Sequence, residues 1–207
     1  ELREAYAAFA CRLREALNAE GKPVVAALAP KTSAQQRGLL YEAHDYALLS
    51  KAANAVFLMT YEWGYVYGEP QAIAPLPQVR AVLDYALSVT AGENIFLGAP
   101  LYAYDWPLPY EKGRTRAETF SSQAAVARAR LVGAEIEFDE TARSPYYHYF
   151  DKMRREHVVW FEDARSLRAK IALAAEKGLQ GIGFWQAGRE LAQAWPLLDA
   201  LVTLETL

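Results

Sequence analysis

The stretch Ala55-Val56-Phe57-Leu58-Met59-Thr60-Tyr61-Glu62-Trp63-Gly64 decides the fold. Its opening is an unbroken apolar run, the pattern of a strand covered on both faces within a parallel sheet. It then breaks into Tyr61, Glu62 and Trp63, followed by Gly64 and a loop rich in Tyr, Gly and Pro. In β/α sheets and barrels, chemistry gathers where strands give way to loops at their carboxyl ends. A phenol, a carboxylate and an indole at that edge predict a binding floor. Two further segments end alike: Ile95-Phe-Leu-Gly-Ala-Pro-Leu-Tyr102 runs into Ala103-Tyr-Asp-Trp106, and Gly181-Ile-Gly-Phe finishes on Trp185.

Working outward, Leu2, Tyr6, Phe9, Leu13 and Leu17 recur at helical spacing until Gly21 and Pro23 end the pattern. Val24 to Leu28 reads as a short strand, and helical periodicity returns from about Leu39 to Ala53. Downstream, Val79, Val82, Leu83, Ala86 and Leu87 mark the apolar face of another helix. The segment from about Pro107 to Glu162 departs from this rhythm. It holds a helical stretch near Ser121–Leu131 and three alternating runs, Glu135–Asp139, Tyr146–Phe150 and His157–Phe161, which predict a small antiparallel sheet. Asp163 suits the N-cap of a helix through Lys177, with Gly178 at its end. After the strand Gly181–Trp185, a helical tail runs from about Glu190 to Leu204, with Pro196 near a first turn.

Alternating helices and strands mean parallel strands with right-handed crossovers. Four such strands are too few for an eight-stranded barrel, and the glycine-rich first turn of nucleotide-binding open sheets is missing. Half a barrel fits better. The 207 residues carry a net charge of −3, 53% hydrophobic and 23% charged residues, an ordinary globular balance with no broad attraction for nucleic acid or an anionic membrane. No apolar run is long enough to span a bilayer. A lone Cys11 excludes an internal disulfide and a cysteine zinc site. His44, His148 and His157 share no metal-ligand spacing, so local bonds or exposure account for them. Five Trp and 13 Tyr permit a glycan ligand, whose rings stack on aromatic faces while hydroxyls bond to polar tips.

Met59-Thr-Tyr-Glu-Trp-Gly64, Gly98-Ala-Pro-Leu-Tyr-Ala-Tyr-Asp-Trp106, Ala142-Arg-Ser-Pro-Tyr-Tyr-His-Tyr149 and Val159-Trp-Phe-Glu-Asp-Ala-Arg165 together resemble glycoside hydrolase family 18 over nearly the whole chain. They look most like its spore-germination and spore-cortex-lytic branch. The resemblance implies an α/β fold of the (β/α)8 TIM-barrel type, present as the C-terminal half (strands 5–8), with a small α+β insertion after strand 7. Residues 1–106 and 163–207 would form the half-barrel and 107–162 the inserted lobe. It also implies substrate-assisted, retaining hydrolysis of β-1,4-linked N-acetylglucosamine-containing glycans, outside the cytoplasm and associated with spore or cell wall.

By resemblance, Tyr61 positions the substrate's N-acetyl group and Trp185 forms the floor beneath the sugar. Glu62, where many chitinases have aspartate, contacts sugar hydroxyls or the leaving side. Tyr102, Tyr104, Asp105 and Trp106 line the same cleft, and Met59 packs below. The family's acid motif, D-x-x-D-x-D-x-E, is missing from these residues, so the proton-donating glutamate is expected upstream of residue 1 and the chain alone is expected to be inactive. Glu135, Glu137 and Asp139 share one strand face but fall within the lobe and read as solvated. Arg143 and Asp163 could form a structural pair. The expected partner is an oligosaccharide or peptidoglycan strand, with no cofactor, metal, nucleic acid or membrane span. The open sheet edges should be covered by a missing N-terminal half or by self-association. The alternative is a non-catalytic glycan-binding protein on a degenerate barrel of this kind.

Overall fold

The structure, a computed structural model, describes residues 2–202. In chain order it runs α1 (Leu2–Asn18), β1 (Val25–Leu28), α2 (Tyr46–Ala52), β2 (Ala55–Leu58), α3 (Leu76–Leu87), β3 (Ile95–Pro100), β4 (Tyr102–Pro107), β5 (Glu118–Ser121), α4 (Ser122–Val132), β6 (Glu137–Asp139), β7 (Ser144–Phe150), β8 (Glu156–Trp160), α5 (Ala164–Glu176), β9 (Gly181–Trp185) and α6 (Ala194–Leu201). Four strands form a parallel sheet in the order β1-β2-β3-β9, and five form an antiparallel sheet in the order β5-β4-β8-β7-β6. The α/β architecture with a parallel sheet is as the alternating pattern predicts.

The parallel sheet has two unlike faces because side chains alternate along each strand. Val56, Leu58, Ile95, Leu97 and Ala99 point toward the helices and are fully buried. Such burial is worth roughly 1.5–3 kcal/mol for each large aliphatic side chain. On the opposite face the Phe57 ring lies across Gly98 and Gly183. A Cβ at Gly98 would stand 2.4 Å from the Leu58 carbonyl oxygen, and one at Gly183 would stand 2.5 Å from the Phe57 ring. This face stays open: Val25 is 42% and Trp185 54% exposed. The outer edges of β1 and β9 have no strand beside them among the described residues.

The chain leaves the parallel sheet at Leu101, whose N–H donates to the Trp185 carbonyl (2.8 Å) and whose carbonyl accepts from Ser122 N–H (3.1 Å). Residues 102–106 then pair with β5 and β8. They belong by hydrogen bonding to the antiparallel sheet, whereas the sequence grouped them with the parallel strands. β4 presents Tyr102, Tyr104 and Trp106 on one face, and Ala103 and Asp105 on the other. Ala103 joins a second core with Ala125, Ala129, Tyr147, Val159 and Phe161 beneath α4.

Local signals set the helix ends. Asp45 Oδ1 accepts from Leu48 N–H at 3.0 Å and starts α2, so the helix predicted from Leu39 begins seven residues later. Leu39 and Leu40, which suggested an apolar face, are exposed in the preceding turns. Asp163 forms a capping box with Ser166 at the head of α5, and Gly178 follows that helix with φ +60°. Arg143 pairs with Glu140 and Asp163 with Arg165 rather than with each other. Of the expected run Glu135–Asp139 only Glu137–Asp139 is strand, and β5 had no sequence prediction. The expected tail to Leu204 is helical over Ala194–Leu201, with its last residues outside the described range. Among the described residues no helix is long and apolar enough to cross a membrane.

Candidate active site

The site is built at the carboxyl edge of the parallel sheet. Thr60, fully buried, donates its hydroxyl to the Gly98 carbonyl at 2.7 Å and ties the end of β2 to β3. Beyond it the backbone turns sharply. Glu62 adopts φ +71°, a left-handed conformation uncommon for a residue with a Cβ. Bonds from Trp63 N–H to Ile73 O (3.1 Å) and Gly64 N–H to Ala72 O (3.0 Å) hold the loop in this shape. The turn aims Glu62 at β4, where its Oε1 accepts from the hydroxyls of Tyr102 and, at 2.9 Å, Tyr104.

Tyr61, Tyr102, Tyr104 and Trp106 form a chain of edge-to-face rings with successive centroid separations of 6.4, 5.5 and 5.5 Å. Burial first, and the Glu62 charge second, push the Tyr61 phenol up to about 12. The same two causes raise Tyr102 and Tyr104. All three phenols therefore keep their protons near neutral pH and act as donors. Tyr102 and Tyr104 spend theirs on Glu62. The Tyr61 hydroxyl has no hydrogen-bond partner among the described residues and remains available.

Trp185 pairs in register with Pro100 at the same edge, on the open face that also carries Phe57 and Met59, and the Trp185–Gln186 peptide is cis. Met59 is half-buried beside the core. Thus Tyr61, Glu62, Tyr102 and Tyr104 are in contact, and Trp185 and Met59 stand at the same end of the sheet. Two expected residues are placed differently. Trp106 is fully buried and donates its indole N–H to the Gly68 carbonyl at 2.9 Å. Asp105 faces the opposite side of β4, where its carboxylate takes Arg128 (2.5 Å), Tyr149 (2.7 Å) and His157 Nδ1 (2.7 Å). Neither can line the edge, because strand alternation sends Asp105 away and the 61–72 loop covers Trp106.

Sequence reasoning also missed groups that the structure gathers here. The Arg189 guanidinium stands 6.0 Å from the Tyr102 ring centroid and donates to Thr119 Oγ1 at 3.1 Å. Its position four residues beyond β9 was the available signal. The segment between β1 and α2 supplies Thr32, Ser33 and Tyr41 to an open cleft of about 420 Å³ that continues from Tyr61, Glu62 and Trp63. Among the described residues no group of acidic, histidine or cysteine side chains could hold a metal ion.

A parallel α/β sheet with polar and aromatic groups gathered at its carboxyl edge is the arrangement in which β/α enzymes place their binding sites. The sequence model of glycosyl hydrolases family 18 matches residues 1–190, and the chain belongs to that family. Within it the similarity runs to the spore-germination branch. The chain is 47% identical over 197 residues to the cortical fragment-lytic enzyme of Bacillus subtilis, covering 95% of this chain and 46% of that protein. The spore cortex-lytic enzyme SleL of Bacillus cereus superposes with a TM-score of 0.92 at 42% identity, covering 97% of this chain and 46% of that one. The corresponding enzyme of Bacillus megaterium QM B1551 gives 0.90 at 41% identity. The chain thus spans a little under half the length of these relatives.

Proposed function

We propose that this chain is the sugar-holding half of a retaining glycoside hydrolase acting on β-1,4-linked N-acetylglucosamine-containing glycans of the spore cortex or cell wall. β1, β2, β3 and β9 would be the fifth to eighth strands of a (β/α)8 barrel, with the antiparallel sheet as a lobe inserted between the last two. Support comes from the family membership, the coverage of relatives and the open apolar face opposite the helices.

In the substrate-assisted route, an exception to the two-carboxylate scheme, the acetamido carbonyl oxygen attacks the anomeric carbon as the glycosidic oxygen takes a proton and leaves. The proton donor would lie on residues outside this sequence, which has no D-x-x-D-x-D-x-E motif. This chain's part is positioning. Tyr61 donates to the acetamido oxygen, Trp185 supports the sugar face, and Glu62 receives a sugar hydroxyl on the oxygen that the two tyrosines leave free. The observation that carries this reading is the protonated, unpartnered Tyr61 hydroxyl beside Glu62 at the sheet edge. By itself the 207-residue chain would bind glycan without cleaving it.

The test is release of reducing ends from cortex fragments by the full-length protein. Tyr61→Phe should lower kcat by roughly a hundredfold, the cost of a misplaced reacting group, and Trp185→Ala should raise KM. Full activity in both variants would remove the proposal.

A further inference from the structure

Where the antiparallel sheet meets α5 there is a pocket of about 360 Å³ that shares no lining residue with the cleft at Tyr61. It lies within the usual ligand-pocket range of about 300–1,000 Å³. One wall is β6 and the turn into β7, with Phe138, Glu140 and Arg143. The other is the face of α5 that carries Arg165 and Arg168, one turn apart. Ala169 and Ala172, with short side chains, complete the lining. Of the charged side chains around this space, three are guanidinium ions and one is a carboxylate.

The walls are built rather than loose. Arg143 and Arg165 both stack at Phe138, with guanidinium carbons 5.2 and 4.5 Å from the ring centroid. Stacking occupies the flat face of a guanidinium and leaves its edge N–H groups able to bond. Arg165 is also fixed by the Asp163 carboxylate, 2.9 Å from Nε and 2.8 Å from a terminal nitrogen. Arg143 takes a left-handed backbone, φ +54°. The turn before it is pinned: Thr141 and Ala142 donate their N–H groups to Asp139 Oδ1 at 2.9 and 2.7 Å. The Ala142 carbonyl accepts from Leu76 N–H at 2.9 Å, which ties this turn to the head of α3.

The pairing of charge here is unfinished. Asp163 serves Arg165 and the α5 cap, and Glu140 pairs with Arg143. Glu140 is 76% exposed, and a surface pair of that kind holds weakly. Arg168, exposed on α5, has no ion pair or hydrogen bond among the described residues. In a chain of net charge −3 the pocket is a local reversal of sign. A neutral ligand would leave Arg168 unanswered. One small oxyanion would fill little of the volume, whereas two or three on a compact frame reach several arginines.

We propose that this pocket binds a compact ligand carrying two or more oxyanion groups, carboxylate or phosphate. Arg168 and Arg143 are its partners, Arg165 and Phe138 hold the wall, and entry displaces Glu140 from Arg143. The chemistry is the planar, charge-assisted hydrogen bonding that guanidinium gives to such groups. The site does not depend on the glycan reading.

The experiment is calorimetric titration of the full-length protein at low ionic strength with acetate, citrate, pyrophosphate and the neutral trimethyl ester of citrate. Citrate or pyrophosphate should bind at least about tenfold tighter than acetate, the tighter of the two identifying the oxyanion, and the ester should not bind. Affinity should fall as salt is raised. Arg168→Gln should weaken binding about tenfold. Ala172→Leu, which fills the pocket from an exposed helix position, should abolish it, and both variants should keep the wild-type melting temperature. Glu140→Gln removes the competing carboxylate and should tighten binding. Citrate and pyrophosphate no tighter than acetate, an ester as tight as citrate, unchanged affinity in both Arg168→Gln and Ala172→Leu, or weaker binding in Glu140→Gln would overturn the site.

Discussion

Replacing Glu62 by Gln keeps the shape of the side chain and removes the charge shared by Tyr61, Tyr102 and Tyr104. Tyr61 is held about two units above an ordinary phenol, equivalent to about 2.7 kcal/mol between its ionised and neutral forms. Burial is the larger cause and survives the substitution; the Glu62 charge is the smaller one and does not. Tyr61 should therefore fall by between a few tenths and one unit, remaining above 10. A phenol at 12 is about 10% ionised at pH 11 and one at 11 about 50%, so the change is legible without reaching pH 12. The assay is tyrosine ring-carbon NMR between pH 8 and 11 on wild type, Glu62→Gln and Tyr104→Phe. The Tyr104 bond to an ionised acceptor would be worth about 1.5–3 kcal/mol if fully buried. Glu62 is exposed, which reduces this to about 1 kcal/mol of stability. An unchanged Tyr61 titration in Glu62→Gln would refute the electrostatic coupling. A fall to 10 would refute the primacy of burial.

Three further outcomes follow from the same geometry. Gly98→Ala and Gly183→Ala should each destabilise by about 1–3 kcal/mol through overpacking; in thermal melts Phe57→Leu should rescue the second and not the first, because the Leu58 carbonyl still obstructs Gly98. Glu162 and Lys170 form a fully buried pair at 2.8 Å, and burial raises the Glu162 carboxyl. Lys170→Met should cost about 3–5 kcal/mol at pH 7 by urea unfolding, less at pH 5 as Glu162 gains its proton, and Glu162→Gln/Lys170→Met should return within about 1 kcal/mol of wild type. Because the folded-state values of Tyr61, Tyr102 and Tyr104 are raised, their contribution to stability is complete below pH 10. It is lost as pH rises through the folded values, from 10 to about 12 for Tyr61, so a melting temperature flat from pH 9 to 11 would contradict their burial.

The parallel strands were legible because each is short, apolar and bounded by turn residues, and the edge positions of Tyr61 and Trp185 followed from their being the last residues of such runs. Helix α2 was misplaced because Leu39 and Leu40 mimic an apolar face, whereas Asp45, a plain N-cap residue, governs where the helix starts. Tyr102-Ala-Tyr-Asp-Trp106 reads from the sequence as the end of a parallel strand lining a cleft. It is a strand of the antiparallel sheet, so period-2 alternation separates Asp105 from Tyr102 and Tyr104, and only the pairing with β5 and β8 reveals it. The wall at Thr32, Ser33 and Tyr41 left no local signature, since its shape depends on Lys31 reaching carbonyls 10 and 13 residues away.

β4 is shared property. One side of it gives Glu62 its two phenols, and the other side is bolted by Asp105 to Arg128, Tyr149 and His157 in the antiparallel sheet. The lobe is therefore no detachable ornament. Trimming it away to shrink the domain would take β4 with it, and with β4 the two phenols that hold Glu62, even with every parallel strand in place.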